Sequence, residues 1–179
     1  MVDRSRDSFD QMIKSVGRFS EEAFHFVRDG LSHAAERVHG PESDAHQVIQ
    51  AFLISHQMDW SDFRARIEND DLPEPVLEAV EAAGGCENLD RHVTGRELCW
   101  GLRDFALERW GMLARTVLES WNVRRTADFG RIVFGFIEFD MMQKQPGDTE
   151  TDFEDVYSFD EAFEETMKPR NLHERGDSN

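Results

Sequence analysis

Cysteine occurs only twice in 179 residues, at Cys86 and Cys99, which excludes a disulfide framework. Apolar runs are short, and none approaches the ~20 residues that a bilayer-spanning helix needs. The opening M-V-D-R-S-R-D-S has no apolar stretch of the kind a secretory signal carries, so no such signal is expected. With no signal and two isolated thiols, the chain reads as a cytoplasmic protein with reduced cysteines, and Cys99 as a small core residue.

Recognisable chemistry is also missing. There is no G-x-x-x-x-G-K-[ST], G-x-G-x-x-G or G-x-S-x-G, so neither a phosphate-cradling loop nor a nucleophile elbow has support. Seven histidines invite a metal, but no H-E-x-x-H or C-x-x-C is present, and His25, His33 and His39 do not share one helix face. The acidic run from Asp148 to Asp155 lacks the EF-hand order of ligands. His92 reads as a loop-orienting residue. The sequence therefore assigns no catalytic residue, no cofactor and no metal.

What is present is aromatic and acidic. Fourteen Phe, four Trp and 39 % hydrophobic residues can fill a core, which excludes wholesale disorder. The net charge of −17 is unevenly spread. Residues 1–90 hold 8 Lys/Arg against 19 Asp/Glu, and residues 132–167 hold 1 against 11. Residues 91–131 reverse the balance, with 8 basic against 5 acidic. An acidic surface repels polyanions, so any nucleic-acid contact would have to use that basic segment.

The clearest local signal is T-G-R-E-L-C-W-G-L-R-D-F-A-L-E-R-W-G over 94–111. Thr94 and Glu97 form a capping box, Leu98, Leu102, Phe105 and Ala106 line one face, and Gly111 stops the run. Trp100 and Leu107 make a second apolar stripe, as in a helix held between two layers. The expectation is that Leu98, Leu102 and Phe105 meet the C-terminal elements, and that Trp100 and Leu107 meet the N-terminal or inserted helices. An exposed Trp100 would instead mark a seam closed by another molecule.

Around this centre the chain divides into four stretches. Residues 1–40 carry helices at 8–16 and, capped by Ser20, at 20–38. Residues 41–90 read as an inserted helical subdomain and linker, with helices at 45–57, from Ser61, and from Pro75 to Gly84. Residues 91–167 form the core: the central helix, a helix over 112–121 ending at a left-handed Asn122, and a helix over 126–140 capped by Thr126. A β-hairpin follows over 141–157, then a helix from the Ser158–Glu161 capping box to Met167. Residues 168–179 read as a flexible tail. The predicted fold is mainly α within an α+β class, with N-terminal helices packed on a winged-helix-like core of three helices and a hairpin wing.

H-V-T-G-R-E-L at 92–98, V-L-E-S-W-N-V-R-R-T-A-D-F-G-R-I-V-F at 117–134 and D-F-E-D-V-Y-S-F-D-E-A-F at 152–163 resemble a bacterial family of small uncharacterised proteins. With the helix at 20–38 the resemblance spans about two thirds of the chain, and residues 41–90 depart from it. It implies a soluble bacterial protein and transfers no site residue.

The candidate surface is the helix at 126–140. Arg124 and Arg125 precede it, and Arg131, Phe134 and Glu138 lie on its outward face. Arginines so placed suit phosphates or base edges, but Asp148, Glu150 and Asp152 beside the single Lys144 repel a duplex. Phe134 is either covered by the N-terminal helices or an anchor for a partner. The leading expectation is a non-catalytic protein-interaction or adaptor module, with a second copy of the chain among the candidate partners and no membrane. A DNA-binding winged-helix regulator is the alternative, and an enzyme of unknown class the third.

Overall fold

The computed structural model describes residues 4–85, 89, 91–142 and 144–164. The chain forms two compact units, one from Met1–Ala34 with Val93–Asn179 and the other from Ala35–His92. Cys86, most of the 86–90 linker, the end of the last helix at Met167 and the 168–179 tail lie outside the described residues.

Within Ala35–His92, helices α3 (Asp44–His56), α4 (Trp60–Glu68) and α5 (Glu74–Ala82) close on a core of their own. Phe63 is fully buried there, with Ile49, Phe52, Val76 and Val80 around it, and α3 packs on α5. The sequence expectation that Ser61 caps α4 is corrected. Asp59 caps it two residues earlier, its carboxylate accepting the Asp62 N–H at 2.8 Å. A carboxylate at the N-cap is favoured over a hydroxyl further in, because it meets both the free N–H groups and the positive helix end. Pro75 sits in the first turn of α5, where its missing N–H costs nothing.

The first unit holds α1 (Arg4–Val16), the start of α2 (Glu21–His39), α6 (Gly95–Trp110), α7 (Ala114–Ser120), α8 (Thr126–Glu138) and α9 (Phe159–Glu164). The capping box of α6 forms as read: Thr94 Oγ1 accepts the Glu97 N–H, and the Glu97 carboxylate accepts the Thr94 N–H at 2.9 Å. Asn122 takes the left-handed conformation, φ 66°, just after α7. The stretch expected as one helix over 112–121 splits into a 3-10 turn at Gly111–Leu113 and α7.

Leu102, Phe105 and Trp100 of α6 are used in the opposite sense to the expectation. Phe105 stacks on Phe26 of α2 at 5.4 Å, and Leu102 closes over Gly30. Gly101 lies against Ala34, so α2 covers the Leu102–Phe105 side. Trp100 turns to the C-terminal segment, its ring 4.7 Å from that of Tyr157, and remains 40 % exposed. Helical spacing separates the two stripes but cannot say which neighbour each one meets.

The predicted β-hairpin is overturned. Among the described residues there is no β-strand, so the fold is all-helical and the winged-helix-like core is not formed. At 141–142, where the first strand was expected, the N–H groups of Met141 and Met142 both donate to the Phe136 carbonyl and close the end of α8. Further on, Asp148 accepts the Gln145 N–H at 2.9 Å, and Asp152 accepts the Thr149 N–H at 2.7 Å. The first bond holds the turn before, and the second starts a 3-10 helix at Glu150–Phe153. Short polar side chains thus satisfy the backbone locally, in competition with a strand ladder. A second strand at 151–157 would also have set Asp152 and Glu154 next to each other on one face, where like charges repel. Phe153 then supplies the tertiary contact. Its side chain fills the space left by Gly95 and Gly130, where an added Cβ would approach it to 2.7 and 2.8 Å.

Candidate functional site

The site begins with a buried carboxylate. Asp128, in the first turn of α8, is fully buried. Its Oδ2 accepts the backbone N–H groups of Arg124 at 2.9 Å and Arg125 at 3.2 Å. Its Oδ1 accepts Arg18 Nη2 at 3.0 Å. The loop is fixed from the other side by Asn122, whose Nδ2 donates to the Arg18 carbonyl at 2.8 Å. With the backbone of Arg124 and Arg125 held inward by Asp128, both side chains are exposed. The expectation that Thr126 caps α8 is corrected: Thr126 lies inside the helix, buried, and its Oγ1 accepts the Val156 N–H at 3.3 Å. The capping is done from within by Asp128, since a carboxylate three residues into a helix can reach back to free N–H groups.

These arginines open onto a cleft of about 560 Å³. One set of lining groups is Arg115, Arg124, Arg125 and Arg131. Another is Glu150, Glu154, Asp155 and Asp160, and Thr126, Tyr157, Ser158 and Phe159 also line it. The lining thus balances four guanidinium groups with four carboxylates, in a chain whose net charge is −17.

The four arginines are not equivalent. Arg115 is committed: its Nε donates to Glu119 at 2.7 Å and its Nη1 pairs with Asp160. The Glu119 hydrogen bond raises its pKa further above the ordinary arginine value, against the smaller effect of burial, with Asp160 adding to the rise. Arg125 Nε stands 3.8 Å from Asp128 Oδ1, a loose contact with a carboxylate already shared three ways. Arg124 Nε donates to Asn122 Oδ1 at 3.3 Å and meets no carboxylate among the described residues. Arg131 is exposed and has no ion-pair partner among the described residues.

Tyr157 joins the cleft to the core. Its hydroxyl donates to the Cys99 carbonyl at 2.8 Å, and its ring packs on Trp100 and Phe159. Burial pushes the Tyr157 phenol well above its usual pKa, the neighbouring Cys99 adds to the rise, and Arg103 opposes it. Burial likewise pushes the Cys99 thiol up to about 12.

The structure brings Arg124, Arg125 and Arg131 together in the cleft and leaves Phe134, Glu138, Trp100 and Leu107 outside its lining. Phe134 is half-buried, its ring edge-on to Phe153 at 6.4 Å and covered by the Lys144 ammonium at 5.6 Å. Its cover therefore includes the segment after α8. Glu138 is exposed and Leu107 half-buried. Sequence reasoning missed Asp128, Arg18 and Tyr157. The R-R-T-A-D spacing was a usable signal for Asp128, and nothing local pointed to the other two.

Among the described residues no group of three or more His, Cys, Asp or Glu side chains is placed to hold a metal ion. Among them, too, no helix is long and apolar enough to cross a membrane. His92 contributes backbone rather than acid–base chemistry to the bond that is seen: its carbonyl accepts His39 Nε2 at 2.8 Å. No protein-family model, curated protein or solved structure matches the chain.

Proposed function

We propose that the protein is a non-catalytic interaction module that docks a charged segment of a partner protein in the cleft beside α8. The observation that carries this reading is the lightly engaged arginine set, Arg124, Arg125 and Arg131, which shares a cleft of about 560 Å³ with carboxylates. Arginine is the side chain that gains most from planar, two-point recognition of an anion, and a cleft with both signs on its lining selects by charge pattern. The two lining groups with shifted acidity support binding over catalysis. Arg115 is held more firmly protonated, and the Tyr157 hydroxyl is tied to the Cys99 carbonyl. Neither is tuned toward neutral pH as a proton-transfer group would be. The proposal includes kinship with the bacterial family whose motifs the chain resembles and a cytoplasmic location.

A nucleic-acid regulator using the same three arginines is the weaker reading. A duplex brings many closely spaced phosphates, and Glu150, Glu154 and Asp155, in the same cleft as the arginines, would repel them.

The test is affinity capture with quantitative mass spectrometry, comparing the native chain with an R124E/R125E/R131E variant. Proteins held by the native chain and lost by the variant support the reading. Equal capture by both, or nuclease-sensitive capture only, overturns it.

A further inference from the structure

We propose that the group docked by Arg124, Arg125 and Arg131 is the phosphoryl group of a phosphorylated serine or threonine on a peptide with basic residues beside it. This rests on the docking function proposed above and narrows its ligand.

Three side chains are available and one is not. Arg115 is held by Glu119 and Asp160, whereas Arg124 and Arg131 meet no carboxylate among the described residues and Arg125 has only the 3.8 Å contact with Asp128. A single carboxylate matches one guanidinium in a two-point bond and leaves the others uncompensated. A phosphoryl group carries about −1.5 to −2 at pH 7 with three strong acceptor oxygens, the count of acceptors and the charge that several guanidinium groups together demand. Arginine clusters of this composition are a recurrent way of reading phosphorylated side chains.

The carboxylates of the cleft set the rest of the ligand. Glu150, Glu154 and Asp155 line the same space as the arginines and are exposed. They would repel a second phosphate, which disfavours a nucleic-acid strand, and attract a Lys or Arg next to the phosphorylated residue. The cleft volume, about 560 Å³, takes a few residues rather than a whole domain surface.

The experiment uses the full chain against a degenerate peptide array. The central residue is fixed as phosphoserine, phosphothreonine, serine or aspartate and the neighbours as lysine or glutamate, with single-stranded and duplex oligonucleotides in parallel. Retained peptides are then titrated by fluorescence anisotropy. The expected result is binding of phosphopeptides with lysine neighbours at least tenfold tighter than their serine and aspartate counterparts. That binding falls at least tenfold in R124Q/R131Q and is unchanged in Arg28→Gln, on α2 and outside the cleft lining. Thermal melts of each variant keep a folding defect distinct from a binding one. Equal retention of aspartate and phosphoserine peptides overturns the phosphoryl assignment while leaving the docking function in place. Stronger retention of oligonucleotides overturns both. No retention of any peptide overturns the present inference, and the capture comparison then decides the docking function separately.

Discussion

Arg18 and Asp128 stand 110 positions apart in the chain, and Arg18 Nη2 meets the buried Asp128 carboxylate at 3.0 Å. The pair ties the turn between α1 and α2 to the start of α8, and it holds the backbone from which Arg124 and Arg125 project. Asp128→Ala is expected to cost about 2–4 kcal/mol, because three donors lose a buried charged acceptor. Arg18→Ala, at the solvent-facing end, is expected to cost no more than about 1 kcal/mol. Urea unfolding of both single variants and the double variant measures this, and equal losses for the two would refute the ranking.

Gly101 and Gly135 predict a second ranking. A Cβ at Gly101 meets the Cβ of Ala34 and, at 2.9 Å, its backbone Cα, whereas one at Gly135 meets the Val16 methyl Cγ2 at 2.5 Å. Backbone yields less easily than a side-chain tip, so Gly101→Ala should lose about 1–3 kcal/mol net of the gain in helix propensity. Gly135→Ala should lose less. Thermal denaturation of the two variants side by side decides it.

Phe153→Ala should be among the most damaging single changes in the first unit. The ring is buried, faces Gly95 and Gly130, and packs edge-on with Phe134. Removing it leaves a cavity between α6, α8 and the 3-10 turn, at a cost of about 3–5 kcal/mol. Chemical denaturation reads the loss, and a change under 1 kcal/mol would show that the turn is not anchored there.

The second unit predicts a local response. Phe63 is fully buried in a core drawn from Ala35–His92 alone. Phe63→Ala is expected to accelerate amide exchange throughout α3, α4 and α5 while the central amides of α6 and α8 keep their protection. Uniform acceleration along the whole chain would contradict separate cores.

Alkaline pH should destabilise the fold through Cys99. Its folded pKa, pushed up to about 12 by burial, lies above the usual 9.0, so the folded state favours the neutral thiol. The contribution is fully present below pH 9 and is lost as pH rises toward 12, because the unfolded chain releases its proton first. The slope reaches about 1.4 kcal/mol per pH unit from this group, and Tyr157 acts in the same direction above its usual 10.0. Urea midpoints measured from pH 8 to 10.5 should fall more steeply in the native chain than in Cys99→Ala. Parallel curves would dismiss the role of the thiol.

Much of the helical framework was legible because its signals are local. The Thr94–Glu97 box, the left-handed Asn122 and the Ser158 hydroxyl that accepts the Glu161 N–H at 3.2 Å are all settled by residues within four positions of one another. The hairpin at 141–157 failed for a local reason too. The turn signal from Pro146 to Glu150 suggests a strand reversal, but Asp148 and Asp152 hold the backbone in local turns there instead.

The sequence by itself determined that helices form, where most of them begin and end, and that three arginines gather around the start of α8. Periodicity and capping act over a few residues, and those residues are adjacent. Only the tertiary structure decided that Leu102 and Phe105 face α2 while Trp100 faces Tyr157. It alone paired Arg18 with Asp128 and set Glu150, Glu154 and Asp155 along the same cleft as Arg124, Arg125 and Arg131. Each of those relations, ring on ring, charge on charge or Leu102 over Gly30, joins distant parts of the chain, and it depends on the assembled core rather than on any one stretch.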